Sequence, residues 1–471
     1  MTSAACFVAG KRVASGNRLV VRSPYTRETV GTVELAGRAH VEAAIVSALA
    51  PAEPLTRAAR AKVLDKTRSL LANQREEFAR LITSESGLCI RDTRYEVSRA
   101  LDVLRLASIE ALHDDGQIFS GDISPQGKAR KIFTIREPVS LVVAISPFNH
   151  PLNQVAHKVA PAIAAGAPMI LKPSEKTPLS ALRFAELLYE AGLPDRMLSV
   201  LIGPTKEVAE PLVQDSRVEL VSFTGSVAVG KQIASTAGYK RVILELGGND
   251  PLIVLDDANL DLAVHLAAEG SFRNSGQRCT AVKRILVHEA VAGQFTTRLI
   301  EKTKEYVCGD PFDESTRVGT VIDEASAAYL EDVVKEAIAS GAKLLAGGHR
   351  RGALLTPMVI GNVPRDSRMV TCESFGPLAP ILRVRDLDDA IALANSTSYG
   401  LSSGVVTNSL DNAFKAVKQL RCGTVNINEV PGYRVEHSPF GGIKDSGLGI
   451  KEGVIEAIKT MTTVKTFSLP W

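Results

Sequence analysis

Four things this chain lacks narrow what it can be. No apolar run reaches the roughly 18 residues that a membrane-spanning helix needs, and the opening Met1-Thr2-Ser3-Ala4-Ala5-Cys6 is soon followed by Lys11 and Arg12, so no signal peptide is expected. The six cysteines (Cys6, Cys89, Cys279, Cys308, Cys372 and Cys422) form no CxxC pair, which argues against a disulfide framework and against a metal site. Neither sign of charge dominates. With 55 Lys+Arg against 52 Asp+Glu the formal net charge is +3, which excludes a broad nucleic-acid surface but not a small anionic ligand. Aromatic residues are scarce, at 5% with one tryptophan (Trp471), so an aromatic box for a cationic ligand is not expected.

What is present reads as a soluble, cytoplasmic, globular protein with reduced thiols. The 471 residues are too many for one ordinary core and suggest two or three domains, and 45% hydrophobic with 23% charged residues can bury them. Residues 38–50 and 56–86 carry apolar positions at helical spacing. Short apolar runs at 139–146, 169–171, 198–202, 219–223 and 241–246 read as strands buried on both faces. Helical stretches between them imply a parallel sheet with crossover helices. After Gly248 a second α/β unit follows, with strands at 252–255 and 284–288 around a helix opening at Asp256-Asp257. Residues 130–137 and 462–469 fit neither unit. They alternate like exposed strands, and pairing with another subunit would cover them.

The chemistry concentrates at Cys279 and Glu245. Cys279 follows Arg278, and a thiolate attacks carbonyl carbon well when a cation favours it. Glu245 ends an apolar strand, where a carboxylate can activate the water that releases an acyl group. The competing reading of a lone cysteine is a small buried hydrophobe. Asn149 closes another strand, where α/β sheets place ligands, and its amide can hold a tetrahedral oxyanion together with the Cys279 N–H. Lys172 and Glu175 can hold the hydroxyls of an adenosine ribose, and a carboxylate there disfavours a 2′-phosphate. Gly225-Ser226 opens a helix directly after a strand, which offers free N–H groups to a pyrophosphate without the GxGxxG spacing.

Together, five stretches resemble the NAD(P)-dependent aldehyde dehydrogenase superfamily over nearly the whole chain: Ser146-Pro147-Phe148-Asn149, Lys172-Pro173-Ser174-Glu175, Phe223-Thr224-Gly225-Ser226, Glu245-Leu246-Gly247-Gly248 and Gly276-Gln277-Arg278-Cys279. Glu373-Ser374-Phe375-Gly376-Pro377 and Pro439-Phe440-Gly441-Gly442 extend the match. The resemblance implies a Rossmann-type cofactor domain (1–117 and 138–246), an α/β catalytic domain (247–445) and a β-arm (118–137 and 446–471) that joins subunits into homodimers or homotetramers. It implies that Ser146, Lys172, Ser174, Glu175, Gly225, Ser226, Leu246, Glu373 and Phe375 hold NAD, with NADP as the alternative. Glu373 would take the nicotinamide ribose, and Cys372 would be a spectator. Relatives that pass the acyl group to coenzyme A generally lack a Glu at position 245, so hydrolysis to a free acid is implied.

The segment from Arg278 to Arg284 is similar to the branch that handles small anionic aldehydes. Arg99, His150 and Arg278, with Thr280 beside the nucleophile, would form a clamp for a dianion, as in the phosphonoacetaldehyde dehydrogenases. Arg434 and His437 are candidates for the tunnel mouth. Glyceraldehyde 3-phosphate, sulfolactaldehyde, lactaldehyde and succinic semialdehyde are the alternative substrates, and a non-catalytic structural or binding member of the superfamily is the alternative class.

Overall fold

The computed structural model describes residues 2–471. Its first seven-stranded sheet contains β1 (Phe7–Val8), β2 (Lys11–Arg12), β3 (Val142–Ile145), β4 (Met169–Lys172), β5 (Leu198–Val200), β6 (Leu220–Thr224) and β7 (Arg241–Glu245), in the order β7-β6-β3-β4-β5-β1-β2. Strands β3 to β7 pair in parallel, while β1 and β2 extend the edge antiparallel. Every residue of β4, β5 and β6 is buried, which is why these strands read as unbroken apolar runs. From β3 the chain moves outward through β4 and β5, then returns to β6 on the other side of β3. That reversal opens a crevice at the carboxyl ends of β3 and β6.

Four helices matter for the site: α1 (Ile90–Glu110), α2 (Asn153–Ala165), α3 (Val227–Thr236) and α4 (Leu260–Phe272). Ser226 and Asn259 cap α3 and α4 by accepting the N–H of Val229 and Leu262. The helical stretch 56–86 is two helices, Arg57–Asn73 and Arg75–Ser86, because Gln74 leaves helical geometry and ends one as it starts the other.

The second seven-stranded sheet contains β8 (Asp250–Val254), β9 (Val282–His288), β10 (Lys343–Ala346), β11 (Met358–Gly361), β12 (Leu378–Val384), β13 (Ser402–Val406) and β14 (Thr424–Ile427), in the order β10-β11-β12-β9-β8-β13-β14. Alternation along β8 and β9 sends Leu252, Val254, Ile285 and Val287 to one core and Ile253 and Leu286 to another. Only Leu246–Asn249 separate β7 from β8, so the carboxyl edge of the first sheet meets the amino edge of the second.

The strands Arg130–Pro138 and Thr462–Pro470 pair with each other antiparallel, from Thr462↔Pro138 to Pro470↔Arg130, and Ile118–Ser120 adds a third strand. Within the chain their partner is therefore one another, with Phe133 and Phe467 stacked at 5.2 Å. Of residues 446–471 only this last strand joins the arm. The helix Val454–Thr460 before it packs on α2 and α1, and Val454 and the following Met461 are buried in the core around the first sheet. Among the described residues no helix is long and apolar enough to cross a membrane.

Candidate active site

The loop before Cys279 is held in an unfavourable backbone shape. Asn274, Ser275 and Gly276 all have positive φ (58°, 52° and 69°), which costs the two non-glycine residues about 1 kcal/mol or more each. Fixed contacts offset this. The Asn274 N–H donates to Asp92 Oδ2 of α1 at 2.8 Å, its amide donates to the Asn149 carbonyl at 3.1 Å, and Gln277 Oε1 accepts from Ile322 N at 2.8 Å. A Cβ at position 276 would lie 2.1 Å from the Gly376 carbonyl oxygen, so only glycine passes there.

Asn149 follows β3, and its Nδ2 donates to the Gln277 carbonyl at 2.8 Å. Glu96 of α1 fixes the next turn, its Oε1 accepting the N–H of Leu152 and Asn153 at 2.8 and 2.9 Å. Cys279, Asn149, Arg99, His150, Arg278 and Thr280 all line one cavity of about 440 Å³, with Arg273, Tyr433, Arg434 and Phe440. Residues far apart in sequence thus converge on the thiol.

The electrostatics differ from the sequence expectation in three ways. First, burial pushes the Cys279 thiol up to about 11, and the cation that chiefly opposes this is Lys283, then Arg434, rather than the adjacent Arg278. A terminal nitrogen of the Arg278 guanidinium donates to the Glu269 and Gly270 carbonyls at the end of α4, at 3.0 and 2.6 Å. Second, His150 is not a cation, because burial and the charges of Arg99 and Arg278 push it well below its ordinary value. Third, Arg99 is already paired. Glu436 accepts from its Nε at 2.5 Å and from a terminal nitrogen at 3.2 Å, and also meets His157 Nε2 at 2.5 Å. Burial works to raise the Glu436 carboxyl, but His157 and Arg99 hold it well below the usual carboxylate range.

Of the four arginines that line the cavity, two have no carboxylate within 4 Å among the described residues. These are Arg278, whose buried Nε has no hydrogen-bond partner, and Arg434, whose buried Nη1 has none and whose guanidinium lies 3.9 Å from the Phe440 ring. His437 lies 3.7 Å from Glu110 and outside the cavity lining.

Glu245 is buried at the end of β7 and does not line the cavity. Its carboxyl packs on Gly441, where a Cβ would lie 2.6 Å from Oε1, and neither oxygen is hydrogen-bonded. Burial and the charge of Glu452 raise the Glu245 pKa well above normal. Burial also works to raise Glu452, but Lys158, 3.1 Å away, lowers it, so Glu245 holds the proton and Glu452 the charge.

The crevice at β3 and β6 suits a dinucleotide. Ser146 Oγ and Thr224 Oγ1, at the ends of these strands, are buried without partners. A Cβ at position 225 would lie 2.4 Å from the Phe223 ring, which leaves the Gly225-Ser226 turn bare at the start of α3. A cleft of about 120 Å³ beside it is lined by Ile145, Lys172, Phe223, Val229 and Ile233, among others. Lys172 meets Glu175 at 3.2 Å, Ser174 Oγ accepts from Lys176 N at 3.2 Å, and Leu246 packs on Gly230 of α3. Phe375, in a left-handed conformation (φ 49°), sits edge-on to Phe148 with centroids 5.9 Å apart. Glu373 is bound by Lys283 at 2.6 Å, and Cys372 is exposed. Sequence reasoning did not single out Lys283, Glu436, His157, Lys158 or Glu452. No local motif marks them, and Glu436 meets Arg99 across 337 positions.

The model of the aldehyde dehydrogenase family matches residues 12–467. The 3-sulfolactaldehyde dehydrogenase of Priestia aryabhattai is 40% identical over 457 residues, covering 97% of this chain and 96% of that protein. Two solved structures superpose over nearly the full length. The NADP-dependent glyceraldehyde-3-phosphate dehydrogenase of Bacillus halodurans complexed with NADP has a TM-score of 0.96 at 34% identity and covers 100% of both chains. The NAD-dependent aldehyde dehydrogenase of Sinorhizobium meliloti has a TM-score of 0.94 at 34% identity, covering 100% of this chain and 95% of that one. The chain belongs to the aldehyde dehydrogenase family, whose members oxidise aldehydes with NAD or NADP.

Proposed function

We propose that this enzyme oxidises a small anionic aldehyde to the free carboxylic acid, with NAD as the preferred cofactor and phosphonoacetaldehyde as the substrate. The observation that carries this reading is the pair of guanidiniums, Arg278 and Arg434, that share the Cys279 cavity and have no carboxylate of their own. A buried cation without a counter-ion is costly, and a substrate anion would relieve that cost. Two uncompensated cations match the two charges of a phosphonate. Arg99, compensated by Glu436, is then a supporting contact, and neutral His150 offers a hydrogen bond rather than a charge. The carboxylate of Glu175 near Lys172 supports the preference for NAD.

In this reading the Cys279 thiol gives its proton to solvent, and the resulting thiolate adds to the aldehyde carbon. The Asn149 amide and the Cys279 N–H stabilise the oxyanion, a contribution of about 100- to 1,000-fold per donor. NAD, when bound, supplies the hydride acceptor. The chain is left with a thioester on Cys279. Glu245, once relieved of its proton, takes one from water, and that water hydrolyses the thioester. The raised proton affinity of Glu245 makes it a strong base when ionised. Six free thiols fit a reducing, cytoplasmic setting. Self-association into dimers or tetramers is supported by the exposed edge of the arm.

A second reading, 3-sulfolactaldehyde, is favoured by the 40% identical relative that carries that name. Its sulfonate has one charge, so the two readings separate experimentally. NADH formation is followed with phosphonoacetaldehyde, 3-sulfolactaldehyde and neutral acetaldehyde. The proposal expects the highest kcat/KM with the phosphonate. A higher value with the sulfonate selects the second reading, and equal values with acetaldehyde reject an anionic substrate altogether.

A further inference from the structure

Lys283 is the second residue of β9, and its side chain is 1% exposed. Its ammonium has three N–H donors and uses each. It donates to the Gly248 carbonyl at 2.6 Å, the Cys279 carbonyl at 2.8 Å and Glu373 Oε1 at 2.6 Å. These acceptors lie on three separate segments: the turn after β7, the nucleophile's own residue and the Glu373 loop. Glu373 is packed into this arrangement closely. A Cβ on Gly247 would lie 2.0 Å from its Oε2, and Gly248 N donates to its Oε1 at 3.3 Å. Glu373 is the one carboxylate within ion-pair distance of Lys283 among the described residues.

We propose that Lys283 is a positioning residue that couples Glu373 to the nucleophile. Its ammonium holds the carboxylate against the Cys279 segment in the cofactor-free protein and faces Cys279 without a counter-ion once Glu373 turns to the cofactor. The second half rests on the proposed role of Glu373 at the nicotinamide ribose. The physical basis is the low dielectric around a fully buried ammonium. While Glu373 neutralises it, the charge is largely spent. When the carboxylate leaves, two carbonyl dipoles remain, and an anion forming nearby is stabilised. The charged and titratable groups that act on Cys279 include Lys283, Asp250, Arg434 and Glu373, together with the adjacent Arg278, whose own charge Cys279 favours. Lys283 and Arg434 favour the thiolate, and Asp250 and Glu373 oppose it. Lys283 and Glu373 thus act on one thiol with opposite sign while touching each other.

The test uses two charge changes that a packing role would not tell apart. Lys283→Met removes the ammonium and keeps the stem; Glu373→Gln removes the negative charge and keeps an acceptor. Alkylation of Cys279 by iodoacetamide is measured in cofactor-free protein at mildly alkaline pH, below the thiol's pKa of about 11. The Cys279 peptide is read by mass spectrometry so that the other cysteines do not contribute. Well below its pKa, a thiol's ionised fraction falls about tenfold when that pKa rises by about one. Lys283→Met is expected to slow alkylation about tenfold or more and Glu373→Gln to speed it. Adding NAD is expected to speed alkylation of the unsubstituted enzyme and not of Lys283→Met. Rates that fall in both variants, or change in neither, overturn the proposal and leave Lys283 as packing. Opposite changes with an unaltered NADH affinity in Glu373→Gln, read by fluorescence titration, overturn the cofactor half along with the proposed role of Glu373. That outcome retains the Lys283–Glu373 pairing.

Discussion

Arg99 and Arg434 line the same cavity, yet Arg99 has Glu436 as a counter-ion and Arg434 has an aromatic face and a bare Nη1. The difference decides which one a substrate anion should feel. Replacing Arg434 by Met is expected to raise KM for the anionic aldehyde about 10- to 100-fold, the value of a charge-assisted hydrogen bond in a buried site. KM for acetaldehyde should stay within about twofold on the same reasoning. Steady-state kinetics with both aldehydes checks this, and an equal rise for both would show that Arg434 shapes the tunnel rather than reads charge. Cys279, Asn149 and Arg278 were legible in the sequence because each sits in a short stretch whose chemistry follows from its neighbours. The state of those groups was not legible. Nothing near Arg99 in the chain announces that Glu436 will neutralise it, and nothing near His150 announces that it will sit half-buried beside the charges of Arg99 and Arg278. A side chain's charge in a fold is set by partners that only topology brings together.

At the scale of elements, two helices start on buried carboxylates instead of hydroxyl caps. Glu96 accepts the Leu152 and Asn153 N–H groups at the start of α2, and Glu85 accepts those of Leu179 and Ser180 at 2.8 and 3.0 Å where the helix Leu179–Glu190 begins. Burial pushes both carboxyls up from 4.5 to about 7. The folded chain therefore keeps protons that the unfolded chain releases between those values, so each group's contribution to stability falls as pH rises through that window. Both N–H bonds to Glu96 go to Oε1, and Oε2 has no partner. Glu96→Gln mimics the protonated form and should match the unsubstituted protein near about pH 5, then become the more stable by roughly 1–3 kcal/mol near about pH 8. Denaturant unfolding at the two pH values measures this, and a variant less stable at the higher pH would show that the ionised carboxylate is the better cap. The strands of the first sheet could be read from their unbroken apolar runs. The break at Gln74 could not, because helical periodicity continues across it and only backbone geometry marks the join.

At the scale of the whole molecule, the arm presents an uncovered edge. Thr462–Pro470 is an edge strand nine residues long, and every residue after Thr462 is exposed. Val464 and Leu469 are each 50% exposed. A second apolar surface lies on the helix Leu410–Gln419, where Leu410, Phe414 and Val417, spaced as one helical face, are 71%, 56% and 48% exposed. A long unpaired edge and an apolar stripe are hazards that a solitary chain would carry with no compensation. The alternation in residues 130–137 and 462–469 foretold two strands, of which the second is exposed and the first half-buried, but not that they would find each other, since a period of two fixes faces and not partners. Light scattering should therefore give a mass of two or four times 50.3 kDa. A Val464→Lys, Leu469→Lys double variant, with one charge on each face of the edge strand, should lower that mass while the far-ultraviolet circular dichroism and melting cooperativity of each subunit persist. Were the unsubstituted enzyme monomeric, or the variant as large as its parent, the edge would be a solvated end of the chain and the covering surface would have to be sought on the helix face instead.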